Sequence, residues 1–339
     1  MKMWEYVVRR ILFMVPILIG VLAFSFIISH MVPGDPVGVY LGKKASDPVL
    51  RAEIEERYHF NDPLHVQFYY YITGIFHGDL GYSLSGHEPV GTLIARALPA
   101  TIELVLAASL FSVPVGIYLG ILSATKRNTW IDGVARVVAL IGISVPGFFL
   151  ALLLQQFLAS RFPIFPLDGR FPNNVPTPNN ITGLYLVDSL LTLDLRGFFY
   201  SAYYIALPAF ALGFTIIGYI LRMMRSSMLE VMTADYIRSA RAKGVRERRV
   251  IYKHALKNAM GPTMTISGLT IGGAISYTVF VESIFGWPGI GRFAVRSSEQ
   301  LDFAGILGFT IVVTIAFLVA NLIVDVLYAY LDPQVRLGG

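Results

Sequence analysis

Six long stretches of this chain contain no charged residue and consist mainly of apolar side chains. A helix that crosses a bilayer needs about 20 such residues, and each stretch is close to that length. Backbone polar groups have no water partner in hydrocarbon, so the stretches must be helices. The sequence therefore predicts an all-α integral membrane protein with six transmembrane helices. The stretches are Ile11–Ile28, Leu104–Thr125, Val137–Ser160, Gly197–Leu221, Ala259–Val281 and Phe303–Val324.

Lysine and arginine are distributed unevenly between the connections. The segment from Arg222 to Lys257 contains ten of them, whereas residues 29–100 contain five against eight acidic residues. Basic loops stay on the cytoplasmic side, so both termini and the 222–257 loop are predicted to be cytoplasmic (N-in, C-in). The first stretch exceeds a typical signal-peptide core and no cleavage pattern follows it, so we expect a retained anchor helix.

The sequence contains no recognisable catalytic machinery. No G-x-x-x-x-G-K-[ST] phosphate-binding loop is present, and Gly42-Lys43-Lys44 lacks the spaced upstream glycine. There are no cysteines, and no histidine pair has metal-ligand spacing within a span. Glu103, Glu282 and Asp325 lie near span ends, so an ion-coupled carrier is disfavoured but stays open. We expect no catalytic, cofactor-binding or metal-binding residue in this chain.

The basic loop has helical periodicity on both sides of Gly244. It predicts two short helices, Ala234–Lys243 and Glu247–Asn258, because glycine commonly ends a helix. In the second helix one arc is apolar, with Ile251, Tyr252, Ala255, Leu256 and Ala259, and the opposite arc is cationic, with Arg246, Arg249, Lys253 and Lys257. Periodicity alone leaves two functions open, namely contact with anionic lipid and docking of another protein.

Two adjacent segments of this loop carry a family resemblance. Residues 235–262, DYIRSARAKGVRERRVIYKHALKNAMGP, resemble the cytoplasmic EAA loop of ABC-importer permeases, and residues 225–231 resemble the lead-in of the dipeptide/oligopeptide group. Ala240 and Gly244 match the motif, whereas Arg238 and Ser239 stand where Glu and Ala are usual. The resemblance implies that the loop couples to an ATP-binding subunit through Asp235, Tyr236, Arg238, Ser239, Ala240, Arg241, Ala242, Lys243, Gly244 and Val245.

Further motifs extend the resemblance over nearly the whole chain. They are YVVRR at 6–10, HMVPGDP at 30–36, HGDLGYS at 77–83, PATIEL at 99–104 and ESIFGWPGIG at 282–291. Together they resemble the first permease subunit of dipeptide and oligopeptide importers. The implied architecture is a type I ABC-importer permease fold with cytoplasmic coupling helices and a large outer loop between helices 1 and 2.

This architecture divides the chain into four predicted parts. Residues 1–30 form an N-terminal transmembrane helix and 31–98 an extracytoplasmic loop or cap. Residues 99–330 form the permease core, with a coupling loop at 225–262, and 331–339 form a cytoplasmic tail.

The resemblance also implies a function and partners. The chain would be a non-catalytic, multi-pass subunit in a prokaryotic plasma (inner) membrane that passes short peptides inward. Its partners would be membrane lipid, a second homologous permease, two ATP-binding subunits that hold ATP and magnesium, and an extracytoplasmic solute-binding protein. No nucleic acid is expected. Oligosaccharides or nickel are alternative solutes, and a secondary transporter or a membrane scaffold without flux are alternative classes.

Some features outside the basic loop carry structural expectations. The 29–100 loop is too long for a plain connection, and it fits a cap on the bundle, a dock for the binding protein, or both. Pro114, Pro146 and Gly142 should kink or thin helices. Three glycines of the fifth stretch, Gly268, Gly272 and Gly273, should allow close helix contact. Three amides, Gln155, Gln156 and Asn321, should face a helix partner or water.

Overall fold

The computed structural model describes residues 3–31, 36–41, 47–57, 59, 61–83 and 86–331. The segment 42–44, the pair 84–85 and most of the predicted tail, 332–339, lie outside the described residues. Within the described residues the chain is mainly helical, as predicted, with a long non-helical connection at 162–184.

The helices follow one another in this order: α1 Met3–Met31, α2 Pro36–Leu41, α3 Pro48–Arg57, α4 Leu64–Phe76, α5 Val90–Thr125, α6 Trp130–Ser144, α7 Gly147–Leu154, α8 Tyr185–Leu191, α9 Leu195–Met232, α10 Asp235–Ala242, α11 Glu247–Arg249, α12 Leu256–Ile284, α13 Ile290–Glu299 and α14 Phe303–Leu331. Two π-helical segments continue neighbouring helices, Gln155–Arg161 after α7 and Val250–Ala255 between α11 and α12. Two short antiparallel strands, β1 Tyr82–Ser83 and β2 Glu88–Pro89, precede α5.

Five of the described helical segments are long and apolar enough to cross a membrane, and a bent pair makes a sixth if it counts as one span. The bent pair is Trp130–Ser144 with Gly147–Arg161, which meet at 104°. Pro146 lacks an N–H group and disfavours helical geometry at the residue before it, so the helix breaks there. The expected kink at Pro146 is confirmed, but the stretch Val137–Ser160 is not one straight helix. The membrane orientation stays a prediction.

The second span begins earlier than the sequence suggested. The uncharged stretch begins at Leu104, whereas α5 already begins at Val90 and includes both Pro99 and Pro114. Pro89 precedes the helix in extended geometry, and the backbone N–H of Val90 bonds to the carbonyl of Gly81 at 2.9 Å. The helix therefore starts at a link to the outer loop.

Small residues let the spans pack closely. A side chain added at Gly142 of α6 would lie 3.0 Å from the carbonyl oxygen of Phe214 in α9, and Gly218 faces Gly142 across the same contact. The expected close contact at Gly272 is confirmed, because an added Cβ would lie 3.2 Å from Ala320 in α14. Helix association in lipid depends on such close backbone approach.

Gln155 has the helix partner that the sequence led us to expect. Its side-chain amide nitrogen, Nε2, donates to the carbonyls of Ile284 at 2.6 Å and Leu167 at 3.0 Å. This amide therefore connects the bent third span to the end of α12.

Candidate functional site: the cytoplasmic hairpin

The centre of the predicted coupling loop is a tight turn at Gly244 between α10 and α11. Gly244 has φ +75°, a left-handed conformation that favours glycine. Its N–H donates to the carbonyl of Arg241 at 2.9 Å, and the N–H of Val245 donates to that of Ala240 at 3.2 Å. This pair of bonds is the Schellman ending of a helix. We call residues Asp235–Arg249 the hairpin.

One isoleucine anchors the hairpin to the spans. Ile237 is fully buried, and it lies in a cluster with residues from three spans. The cluster comprises Ile121 and Ala124 of α5, Met224 and Met228 of α9, and Val250, Ala255 and Ala259 at the start of the fifth span. A fully buried aliphatic side chain contributes about 1.5–3 kcal/mol. The hairpin is thus attached to the bundle by packing as well as by the chain.

The residues predicted for coupling fall into two groups in the structure. Ala240 and Val245 are partly buried and pack on the Ile237 cluster. The others present an exposed surface, made of Asp235, Tyr236, Arg238, Ser239, Arg241, Ala242, Lys243 and Gly244. The structure thus brings the predicted set together on one small helix and its turn, with most of it accessible to a partner.

Two side-chain links brace the hairpin. Arg241 bonds to Glu247 across the turn, with its Nη2 2.7 Å and its Nε 3.1 Å from the carboxylate oxygens. This hydrogen bond to Glu247 raises the pKa of Arg241. The side-chain amide of Asn258 donates to the hydroxyl of Tyr236 at 2.8 Å, so α10 is also tied to α12.

The predicted second helix of the loop has the wrong end and, in part, the wrong face. It does not end at Asn258, because α11, the π segment and α12 form one helical segment from Glu247 to Ile284. Tyr252 was placed on the buried arc but is 51 % exposed. The buried positions here are Val250 and Ala255, five residues apart, which is the spacing that an i→i+5 helix aligns. A 100° winding cannot reproduce that arrangement.

Four cations around α11 and the start of the π segment line one open groove. Tyr252 lines this groove together with Arg246, Arg248, Arg249 and Lys253. Within the part of the chain that the structure describes, none of these four cations forms an ion pair. The groove is therefore an attractive surface for acidic groups of a partner or of lipid.

Sequence analysis did not identify Asp132, a buried carboxylate near the hairpin. Asp132 at the start of α6 has no exposed surface. It accepts from Ser123 Oγ at 2.6 Å, from Arg225 Nε and Nη2 at 2.8 and 3.0 Å, and from the N–H of Asn128 at 3.1 Å. The bonds join α5, α6 and α9 beside the Ile237 cluster. Arg225 lies in the lead-in to the family motif, which was the available signal, but its partner is 93 residues away.

Glu282, another buried carboxylate, forms hydrogen bonds near the C-terminal end of α12. Glu282 accepts from Thr101 Oγ1 at 2.6 Å and from the N–H of Gly291 at 2.7 Å, so it caps the N-terminus of α13. The N–H of Ile290 in turn donates to Thr101 at 2.9 Å, and Trp287 Nε1 donates to a carbonyl of α5 at 2.9 Å. The ESIFGWPGIG motif therefore connects α5, α12 and α13.

Two models of known protein families together match almost the full length of this chain. A family model described as binding-protein-dependent transport system inner membrane component matches residues 116–337. A second model, for the N-terminal part of such membrane components, matches residues 3–105.

Individual relatives agree with the family matches. The chain is 40 % identical over 339 residues to the probable D,D-dipeptide transport system permease protein DdpB of Escherichia coli (strain K12), covering 100 % of this chain and 99 % of the relative. It is 40 % identical over 334 residues to the dipeptide transport system permease protein DppB of Alkalihalophilus pseudofirmus, covering 98 % and 100 %. It is 36 % identical over 336 residues to DppB of Escherichia coli (strain K12), covering 98 % and 99 %.

These matches confirm the resemblance to ABC-importer permeases, and with it a non-catalytic, multi-pass subunit of the bacterial inner membrane. The chain belongs to the family of binding-protein-dependent transport system inner membrane components.

Proposed function

We propose that this chain forms one half of the membrane pathway of an ATP-driven importer of short peptides. The names of the relatives, which state dipeptide transport, support peptides over oligosaccharides or nickel as the solute. The other half would be a second homologous permease, and an extracytoplasmic solute-binding protein would deliver the peptide.

Two ATP-binding subunits would bind the hairpin and carry ATP and magnesium. One observation carries this proposal: α10 exposes a small polar surface while its Ile237 is locked into a cluster shared by α5, α9 and α12. A force on the exposed surface therefore reaches three spans through packed side chains rather than through a flexible loop. Coupling requires such an element with two arrangements that both sites can bias.

The cycle follows from this attachment. Closure of the ATP-binding subunits would displace the two hairpins of the permease pair and tilt the spans, which opens the pathway toward the binding protein. Hydrolysis and reopening would return the spans to the inward-facing arrangement. The permease itself makes and breaks no bond.

A matched pair of exposed serines tests the docking surface. Ser239 lies on the exposed surface of α10, and Ser298 is exposed on α13. Ser239→Trp should prevent capture of the ATP-binding subunits and abolish uptake, because a bulky ring then occupies the contact. Ser298→Trp makes the same change elsewhere and should leave capture intact. Normal capture and uptake with Ser239→Trp would contradict the docking role.

The solute and the energy source can be tested in one reconstitution. The purified complex in proteoliposomes, supplied with the binding protein, should take up labelled dipeptides only when ATP is present with the ATP-binding subunits. Uptake driven by a proton or sodium gradient without those subunits would instead indicate a secondary transporter. Mass spectrometry of solute retained by the binding protein should find short peptides, and a sugar there would overturn the peptide assignment.

A further inference from the structure

Helix α4 in the large outer loop carries an unusual apolar surface. Its 13 residues, Leu64–Phe76, include no Asp, Glu, Lys or Arg. Tyr69, Tyr70 and Phe76 are all between 48 % and 76 % exposed. Such a surface does not suit a helix that is surrounded by water.

The opposite side of α4 rests on the end of the first span. Phe68 and Tyr71 contact the ring of Phe26, with centroid distances of 5.3 and 5.7 Å. Phe26 lies two residues before the end of the candidate span Val7–Ile28, which is about 3 Å along a helix axis. The middle of α4 therefore lies beside the last turn of the apolar part of α1, which we take as the boundary between hydrocarbon and headgroups.

Charged residues at both ends fix how α4 can lie. His59 Nδ1 lies 2.8 Å from a carboxylate oxygen of Asp62 before the helix, and Asp79, which is exposed, follows it. Neither end can enter hydrocarbon, because a carboxylate there is costly. A helix about 20 Å long with its middle at the membrane boundary and both ends outside the hydrocarbon must run along the surface.

The end of α1 beside α4 also exposes apolar side chains. Only 11 % of the apolar window of α1 is buried within the protein, and its outer turns expose Phe24, Ile27 and Ile28. Tyrosine is enriched at the membrane–water boundary, where the ring is buried and the hydroxyl stays hydrated. Tyr69 and Tyr70 have the chemistry that this position favours.

We propose that α4 is an interfacial helix whose exposed apolar side lies in the headgroup region of the membrane. Its partner is the lipid surface itself, so this part of the outer loop is not available to a solute-binding protein. The inference does not depend on the identity of the transported solute. It assigns α4 the role of holding the outer loop against the membrane at the end of α1.

The absence of cysteine from the sequence makes a direct test simple. Single cysteines at Tyr69→Cys and Phe76→Cys would carry nitroxide spin labels in the complete complex, reconstituted in nanodiscs of bacterial phospholipid. Leu12→Cys, 66 % exposed within α1, is the lipid reference, and Ser298→Cys is the water reference. The measurement is the ratio of label collisions with oxygen, which concentrates in lipid, to collisions with a water-soluble nickel chelate.

Both α4 labels should give ratios closer to that of Leu12→Cys than to that of Ser298→Cys. The ratios should not change when the binding protein is added. Ratios like that of Ser298→Cys would overturn the proposal, and protection of such water-exposed labels by the binding protein would assign α4 to protein docking. Low collision rates with both reagents would indicate burial against the second permease and would also overturn it.

Discussion

Glycine at position 244 could be needed for either of two reasons. The turn could require its positive φ, or a docked partner could leave no room for a side chain, and substitutions at Gly244 can distinguish the two. No atom of the described residues lies within 4 Å of a Cβ built on Gly244, so an added methyl group meets no clash within the chain. The cost arises from φ +75°, which disfavours most side chains by about 1–2 kcal/mol, whereas asparagine accepts the left-handed region more readily. Gly244→Ala should therefore shift the local equilibrium toward an open turn by roughly 5- to 30-fold.

The assay is hydrogen exchange in the assembled complex, followed at the amides of α10, together with ATP-dependent uptake. If the backbone conformation governs the turn, exchange and the loss of uptake should both increase in the order wild type, Gly244→Asn, Gly244→Ala. If the space left by a docked subunit is limiting instead, Gly244→Asn should reduce uptake more than Gly244→Ala, because asparagine is the larger residue. The two explanations thus predict opposite orders for the same pair of variants.

A charge at the same position gives a further result. Gly244→Asp should abolish uptake while the chain still inserts in the membrane, because it adds a carboxylate to the exposed turn that we propose as the docking site of the ATP-binding subunit. Wild-type uptake with an assembled ATP-binding subunit would refute the coupling role of the turn. Alanine and asparagine variants with wild-type exchange rates would refute the argument from φ.

Two further predictions concern the buried carboxylates. Arg225→Met leaves Asp132 with only the more exposed Arg136, 3.7 Å away, as a cation, and should lower the free energy of unfolding by at most about 3 kcal/mol. The exposed Arg222→Met is the control, and equal thermal melting of the two variants in detergent would refute the structural role of the Asp132–Arg225 ion pair. Gly289→Ala would bring a Cβ within 2.3 Å of the Glu282 carboxylate and should cost about 1–3 kcal/mol, seen as a lower melting temperature. At Gly273 the nearest atom is 4.0 Å away, so Gly273→Ala should be neutral or slightly stabilising, and similar behaviour of the two alanine variants would contradict the close packing at Gly289.

The hairpin turn could be predicted from sequence because its signal is local. Gly244 follows a short polar helix, and the positive φ is a property of that one residue. The end of the next helix could not be predicted, because the polar residues up to Asn258 resemble a boundary while backbone hydrogen bonds continue past them. Tyr252 was misplaced since the π turn changes the angular spacing, and no residue pattern in the segment indicates an i→i+5 ladder.

The hydrogen-bond networks around Asp132 and Glu282 join residues that are far apart in the sequence. Asp132 and Arg225 are 93 residues apart, and Thr101 and Glu282 are 181 apart. Hydropathy identified the spans because each segment that crosses the membrane must by itself be long and apolar enough. Which span meets which, and through which polar group, depends on packing that a single segment does not encode. The bend at Pro146 is another case in which sequence predicts only part of the structure. The proline indicates that the helix breaks, but not that the two halves meet at 104°.

The uninterrupted helical segment from Glu247 to Ile284 has a mechanical consequence. Its 38 residues span roughly 57 Å at the usual helical rise, and the segment joins the cationic groove at one end to the Glu282 cap at the other. If it pivots as a rigid rod about its centre, a tilt of about 5° carries each tip roughly 2.5 Å in opposite directions. Such a tilt would carry movement at the cationic groove directly to the Glu282 cap, without a relay of intermediate contacts.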